Sequence, residues 1–220
     1  MCRFLLARFE KPIDPQPLLR DFAVMCQRSR APDGDWQGDG YGIAWQKDSQ
    51  WHLHKSLKPI WQDEDIFSKV GATNLLVAHS RSAGFPQHKG IIDYNQPFVK
   101  DTMCFVFNGM IKGVRLNIPL EGKIGAQKIF SLLLKEAKNN NTEEALQNVR
   151  TLILANSLKI EGMNIGLVHK GRLYSFCEYA DNTNYFNLHF VQKSGLSLIC
   201  SQPLSGYRWK RMSKGQVFTV

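Results

Sequence analysis

Apolar residues fall along this chain in two patterns, short continuous runs and helical intervals. The opening "MCRFLLARFE" carries a compact apolar run and reads as a strand. In "PQPLLRDFAVMCQRS" the spacing changes. Leu18, Leu19, Phe22, Val24 and Met25 recur at roughly helical intervals behind prolines suited to a helix start. "RAPDGDWQGDG" interrupts both patterns and reads as a loop. "YGIAWQ" and "WHLHKS" return as strands joined by the turn-like "KDSQ". "LLVAHSRSAG" is an apolar strand that gives way to polar residues and a Gly-Pro-rich loop. "MCFVFNG" is another strand ending in Asn-Gly, which "MIKG" continues.

Helical spacing then returns twice. "GAQKIFSLLLKEAK" sets Ala126, Ile129, Phe130, Leu133 and Ala137 on one face. "NTEEALQNVRTLILANSL" opens with cap-type Asn141 or Thr142 and has acids in its first turn. Its apolar stripe is Leu146, Val149, Leu152 and Ile153. "MNIGLVHK", "RLYSFCEY", "FNLHFV", "LSLICS" and "QVFTV" are strands, with "HKGR" as a hairpin turn between the first two. Strands at both ends, two central helices and one early helix suit an α+β fold of two sheets with helices packed outside them.

Composition narrows the picture. The 220 residues are 43% hydrophobic, enough to bury a sizeable core, and no repeat or low-complexity tract divides them, so residues 1–220 are expected to form one domain. No stretch approaches a membrane span, and Arg3, Arg8 and Glu10 interrupt the start before a signal-peptide core develops. A cytoplasmic location is expected. Cys2, Cys26, Cys104, Cys177 and Cys200 are odd in number, widely spread and without a C-x-x-C pair, unlike a disulfide framework or structural zinc site. The formal charge is +9, densest in "YRWKRMSKG". No nucleic-acid motif surrounds that stretch, so it reads as a solvated basic face rather than as nucleic-acid binding.

Four places carry candidate chemistry. Removal of Met1 would leave Cys2 with a free α-amine and a thiol on one residue. An α-amine has a pKa of about 7.7–8.0 and a thiol about 8.5, so at neutral pH part of the amine is free to take the thiol proton. The competing reading is a small buried core residue. Asn108 and Gly109 could offer a side-chain amide and a backbone N–H to an oxyanion, or form a hairpin turn. Arg81, at the end of an apolar strand, could clamp a carboxylate or make a surface salt bridge. His52 and His54 form an H-x-H with no third ligand in view, and are expected to be ordinary strand residues. No metal site and no cofactor is expected.

"MCRFLLA", "GDGYGIAW", "VAHSRSAG", "NQPF", "FVFNGMI" and "LICSQPLSGYRW" occur in an order and at intervals that resemble the class II glutamine amidotransferases, within the N-terminal-nucleophile hydrolases. The stand-alone glutaminase-like branch, without a fused synthase domain, is the most similar. The resemblance covers nearly the whole chain. It implies a four-layer αββα sandwich and a mature N-terminal cysteine that attacks a γ-glutamyl-type amide, with ammonia released or supplied to a separate synthase partner. It assigns Cys2 as nucleophile and, through its amine, as base. Asn108 and Gly109 become the oxyanion hole and Arg81 the carboxylate clamp, with Asp39 and Gly40 beside the nucleophile.

The sequence also departs from that family. Phe107 stands where a histidine often precedes Asn-Gly, and Gln96 where His-Pro-Phe is common. Gly125, Ala126 and Gln127 replace an Asp-Ser/Thr-Glu motif whose acid binds the α-ammonium of glutamine. Asp93, Asp101 and Glu121 are the acids that could substitute in space. Without one, the ammonium lacks a charge-assisted hydrogen bond of about 1.5–3 kcal/mol, or one to two decades of affinity. Free glutamine is therefore a doubtful substrate. The alternative is a non-catalytic member that binds a ligand or partner in the same cleft.

Overall fold

The structure, a computed structural model, describes residues 1–220. Its elements follow the apolar runs and helical intervals closely. They are β1 (Arg3–Ile13), α1 (Gln16–Arg28), β2 (Tyr41–Lys47), β3 (Gln50–Ser56), α2 (Phe67–Val70), β4 (Thr73–Ser80), β5 (Phe98–Lys100) and β6 (Met103–Lys112). α3 (Gly125–Glu136), α4 (Thr142–Ala155), β7 (Lys159–His169), β8 (Arg172–Tyr179), α5 (Thr183–Phe186), β9 (His189–Lys193), β10 (Leu196–Cys200), β11 (Lys210–Arg211) and β12 (Val217–Thr219) follow. No helix is long and apolar enough to cross a membrane.

The strands form two antiparallel sheets, ordered β11-β9-β10-β1-β4-β2-β3 and β12-β8-β7-β6-β5. Alternation along each strand assigns its side chains to layers. In β1, Leu5, Ala7 and Phe9 pack with Leu19 and Phe22 of α1. Phe4 and Leu6, on the opposite face, pack between the sheets against Cys104 and Val106 of β6 and Val168 of β7. Phe105 of β6 and Ile165 and Leu167 of β7 turn outward onto Ile129 and Leu133 of α3 and Val149 of α4. The result is helix, sheet, sheet, helix: the expected four-layer αββα sandwich.

The expected caps and turns hold as well. The Asn141 side chain accepts from the Glu144 N–H at 3.0 Å, and Glu144 accepts in return from the Asn141 N–H at 3.1 Å, closing a capping box on α4. The 159–179 hairpin turns at Lys170 and Gly171, both with positive φ. Asn108 and Gly109 correct the turn reading. They lie inside β6, where Asn108 is opposite Asn164 and Gly109 opposite Met163 of β7, and the strand runs on to Lys112. β5, α2 and α5 are three or four residues long, too short for a period to reveal.

Candidate active site

The chain start is tied down rather than frayed. Arg3 is 3% exposed, and its guanidinium donates to Ser29 Oγ at 2.9 Å and to the Tyr185 and Ser201 carbonyls at 2.9 and 2.8 Å. It also lies 3.7 Å above the Tyr185 ring. Tyr185 OH and Gln37 Nε2 donate to the Met1 carbonyl at 2.8 and 2.9 Å. The Met1 ammonium donates to Asp35 Oδ2 at 2.5 Å and to Ser82 Oγ at 2.7 Å, and Ser82 Oγ donates to the same Asp35 oxygen. Desolvation works to raise Asp35, but the hydrogen bonds from the ammonium and Ser82 outweigh it and hold the carboxyl below its ordinary range.

Cys2 sits between these anchors, half-buried, with its Sγ 3.6 Å from the Ser82 carbonyl oxygen. The alternation of β1 directs it to the same inter-sheet face as Phe4 and Leu6. Desolvation pushes its thiol up, against the pull of the N-terminal ammonium and Arg81. The thiol is therefore protonated at neutral pH and needs a base. His79 of β4 does not fit that role. It is fully buried, and burial, opposed only in part by the Phe107 backbone, pushes its pKa down to about 3. An imidazole so weakly basic takes few protons at neutral pH.

Arg81 leaves the end of β4 and is 4% exposed. Its guanidinium donates to the His88 carbonyl at 2.7 Å and to Asn95 Oδ1 at 3.3 Å, and it meets no carboxylate. That overturns the surface salt-bridge alternative and leaves a buried cation with no direct ion pair, where an anionic ligand would find a partner. Asp39 and Gly40 secure it through the backbone. Arg81 N donates to Gly40 O at 2.8 Å, and Asp39 N to Arg81 O at 3.0 Å. The Asp39 carboxylate receives the Ala83 N–H at 2.8 Å and pairs with Lys89 at 3.3 Å. Gly40 has φ +113°, and a Cβ there would lie 2.4 Å from the Asn95 amide nitrogen, so only glycine fits.

Cys2, Arg81 and Gly109 line one cavity of about 490 Å³, together with Gly125 and Ala126 of α3. Asn108 is fully buried on the inter-sheet face of β6, and neither atom of its amide has a hydrogen-bond partner. Gln96 braces the strand beside it, accepting from Phe107 N at 2.5 Å and donating to Phe107 O at 3.2 Å. A Cβ on Gly109 would stand 2.0 Å from the Gly162 carbonyl oxygen, which is why the strand carries glycine there. Asp39 and Gly40 do not line the cavity and act through Arg81.

None of the candidate substitute acids reaches the cavity. Asp101 and Glu121 face a separate polar hollow, and Asp93 lines neither. Gln127 folds back on its own helix start, accepting from Lys123 N at 2.8 Å. His52 stacks on Trp45 at 5.6 Å and His54 tilts against Tyr41 at 5.8 Å, both on edge strand β3.

Sequence reading missed Asp35, Ser82, Tyr185 and Arg3 around the chain start, where only tertiary contact reveals the role. It also missed the segment 113–124, although a signal was present: Val114, Leu116, Ile118 and Leu120 alternate with polar residues or proline, and all four line the cavity.

No protein-family model matches the sequence, and no curated protein sequence does. Solved structures do match. A glutamine aminotransferase class-II domain protein from Silicibacter pomeroyi aligns over 99% of this chain and 94% of its own, with TM-score 0.66 at 17% identity. A predicted glutamine amidotransferase from Pseudomonas aeruginosa aligns over 100% and 93%, with TM-score 0.57 at 13% identity. Glutamine phosphoribosylpyrophosphate amidotransferase from B. subtilis aligns over 99% of this chain but 47% of its own, with TM-score 0.69 at 12% identity. The chain thus has the fold of class II glutamine amidotransferase domains, the N-terminal-nucleophile hydrolase sandwich.

Proposed function

We propose that this chain is a cysteine amidohydrolase of the class II glutamine amidotransferase type, cleaving a γ-glutamyl-type amide. The observation that carries the reading is the convergence of Cys2, Arg81 and Gly109 on one cavity, from positions far apart in the chain, with the unpartnered Asn108 amide beside them. Removal of Met1 exposes the Cys2 amine. The amine takes the thiol proton, and Sγ attacks the amide carbonyl carbon while Asn108 and Gly109 donate to the oxyanion. The amine returns the proton to the leaving nitrogen, ammonia departs and a thioester remains. Water, deprotonated by the same amine, then cleaves the thioester to the free acid and restores the thiol.

Arg81 holds the substrate carboxylate. With no acid beside Gly125, an α-ammonium finds no partner and free glutamine binds weakly. Ammonia leaves to solvent or to a separate synthase partner. The protein works in the cytoplasm, where a reducing environment keeps Cys2 a thiol. The test pairs intact-mass measurement of cell-derived protein with ammonia release from γ-amides. Met1-free protein whose activity is lost in Cys2→Ala supports the reading; activity that survives Cys2→Ala ends it. One observation favours a non-catalytic ligand binder instead, the absence of any carboxylate from the cavity lining. Cell-derived protein that retains Met1 and releases no ammonia would establish that second reading.

A further inference from the structure

The cavity is larger and more apolar than glutamine needs. Its roughly 490 Å³ falls within the ~300–1,000 Å³ typical of drug-sized ligands. Fifteen of its 23 lining residues are hydrophobic, and none is a carboxylate, so the excess volume suits an apolar group and no cation. The cationic side chains are buried Arg81 and exposed Lys128.

The apolar part has a definite construction. Val114, Leu116, Ile118 and Leu120 line it together with Ile124 just before α3, Ala126 and Ile129 of α3 and Ile153 of α4. The segment is pinned at both ends. Arg115 N donates to Asn156 O at 2.8 Å and Glu121 N to Ser131 Oγ at 2.9 Å. Between those ties, residues 116–120 make no hydrogen bond and are held by apolar contact alone. Leu116, Ile118 and Leu120 are only half-buried and Val114 is 43% exposed, so the wall has apolar surface left to cover. Gly125, where a Cβ would meet nothing within 4 Å, adds further open space at the start of α3.

We infer that the substrate is a glutamine-type γ-amide whose α-nitrogen carries an apolar acyl chain. This rests on the amidohydrolase reading. Arg81 takes the carboxylate and Cys2 attacks the γ-amide. The acyl chain lies along the wall formed by residues 114–120 and α3. Acylation removes the positive charge for which the cavity has no acid, and the chain supplies the apolar surface that the wall lacks. The bond broken remains the γ-amide, and the acyl group leaves intact on the acid product.

The experiment measures kcat/KM of the Met1-free protein for α-N-acyl-glutamines from acetyl to octanoyl. Free glutamine and a γ-N-alkyl-glutamine series are run alongside. Specificity should climb about fourfold per methylene of the α-N-acyl chain until the cavity is full, while the γ-N-alkyl series stays flat. Leu116→Ser and Ile118→Ser, in the half-buried wall itself, should flatten the rise along the acyl series. Should either variant fail to fold, the chain-length series on the natural protein decides alone. Cys2-dependent turnover that is flat along the α-N-acyl series, or that rises along the γ-N-alkyl series, overturns the acyl-chain assignment and leaves the amidohydrolase standing. Affinity of Cys2→Ala protein that climbs with acyl length, while the natural protein cleaves no γ-amide, overturns the amidohydrolase and the substrate assignment with it, and leaves only an acyl-chain binding wall.

Discussion

The α-ammonium of Met1 stands 2.5 Å from a carboxylate oxygen of Asp35. While Met1 is present, Asp35 and Ser82 occupy the chain's α-amine, and Cys2 has only an amide nitrogen, which cannot take a proton from the thiol. Ser82 touches both residues, through its hydroxyl at 2.7 Å to Met1 and its carbonyl at 3.6 Å to Cys2.

Maturation is the first consequence. Cell-derived protein should have the mass of the chain without Met1. A variant obliged to keep an N-terminal extension should fold, by circular dichroism, yet release no ammonia from a γ-amide. The trimmed enzyme should gain kcat/KM as pH rises through the amine's range, about 7.7–8.0, because only the unprotonated amine accepts the thiol proton. Equal turnover by extended and trimmed forms would falsify activation by the Cys2 amine.

Cys2 and Asn108 separate chemistry from stability. Cys2→Ala should abolish amide cleavage by removing the atom that bonds to substrate. Asn108→Ala should lower kcat about 10²–10³-fold, the usual effect of losing one oxyanion donor. Its melting temperature should not fall. The buried amide has no partner, so its removal relieves a desolvation penalty of about 1–3 kcal/mol that offsets the small cavity created. A large loss of stability with little loss of rate would make Asn108 a structural residue.

Gly125 tests the missing acid. An added Cβ meets nothing within 4 Å, and the residue opens α3, where aspartate interacts well with the helix N-terminus. Gly125→Asp should therefore fold normally. It should raise kcat/KM for free glutamine relative to an α-amine-blocked γ-amide by about one to two decades. The ratio of the two substrates in both proteins is the measurement. An unchanged ratio, with free glutamine already preferred, would show that another group binds the ammonium.

His79 should make the fold acid-sensitive. Burial lowers its folded pKa to about 3, against about 6.5 for an exposed histidine. Between those values the unfolded chain binds more protons than the folded one. Stability is then fully present above about pH 6.5 and falls by roughly 1.4 kcal/mol per pH unit below it. His79→Leu removes this contribution. Urea unfolding at pH 6.5, 5.5 and 4.5 should show the natural protein losing stability faster than the variant. Parallel curves would mean that His79 titrates alike in both states.

The sequence alone determined much of this protein, because periodic burial is written locally. Short apolar runs in β1, β4, β6 and β7 and period three to four in α1, α3 and α4 placed nearly every long element. The Asn141 box marked the start of α4 without help from tertiary structure. Cys2, Arg81, Asn108 and Gly109 were legible as chemistry-bearing types in a recognisable order. Their meaning was not. Asn-Gly reads equally well as a turn, and only pairing with Asn164 and Met163 of β7 keeps it in a strand. Arg81 could have been a solvated surface group; only the fold buries it, with its guanidinium held by the His88 carbonyl and Asn95. The alternating apolar residues 114–120 carried a strand-like signal but join no sheet, and only the position of α3 and α4 opposite them makes a cavity wall. The anchors of the chain start, Asp35, Ser82 and Tyr185, lie 34, 81 and 184 positions from Met1. Such contacts depend on how the sheets stack, and no local pattern of residues encodes that.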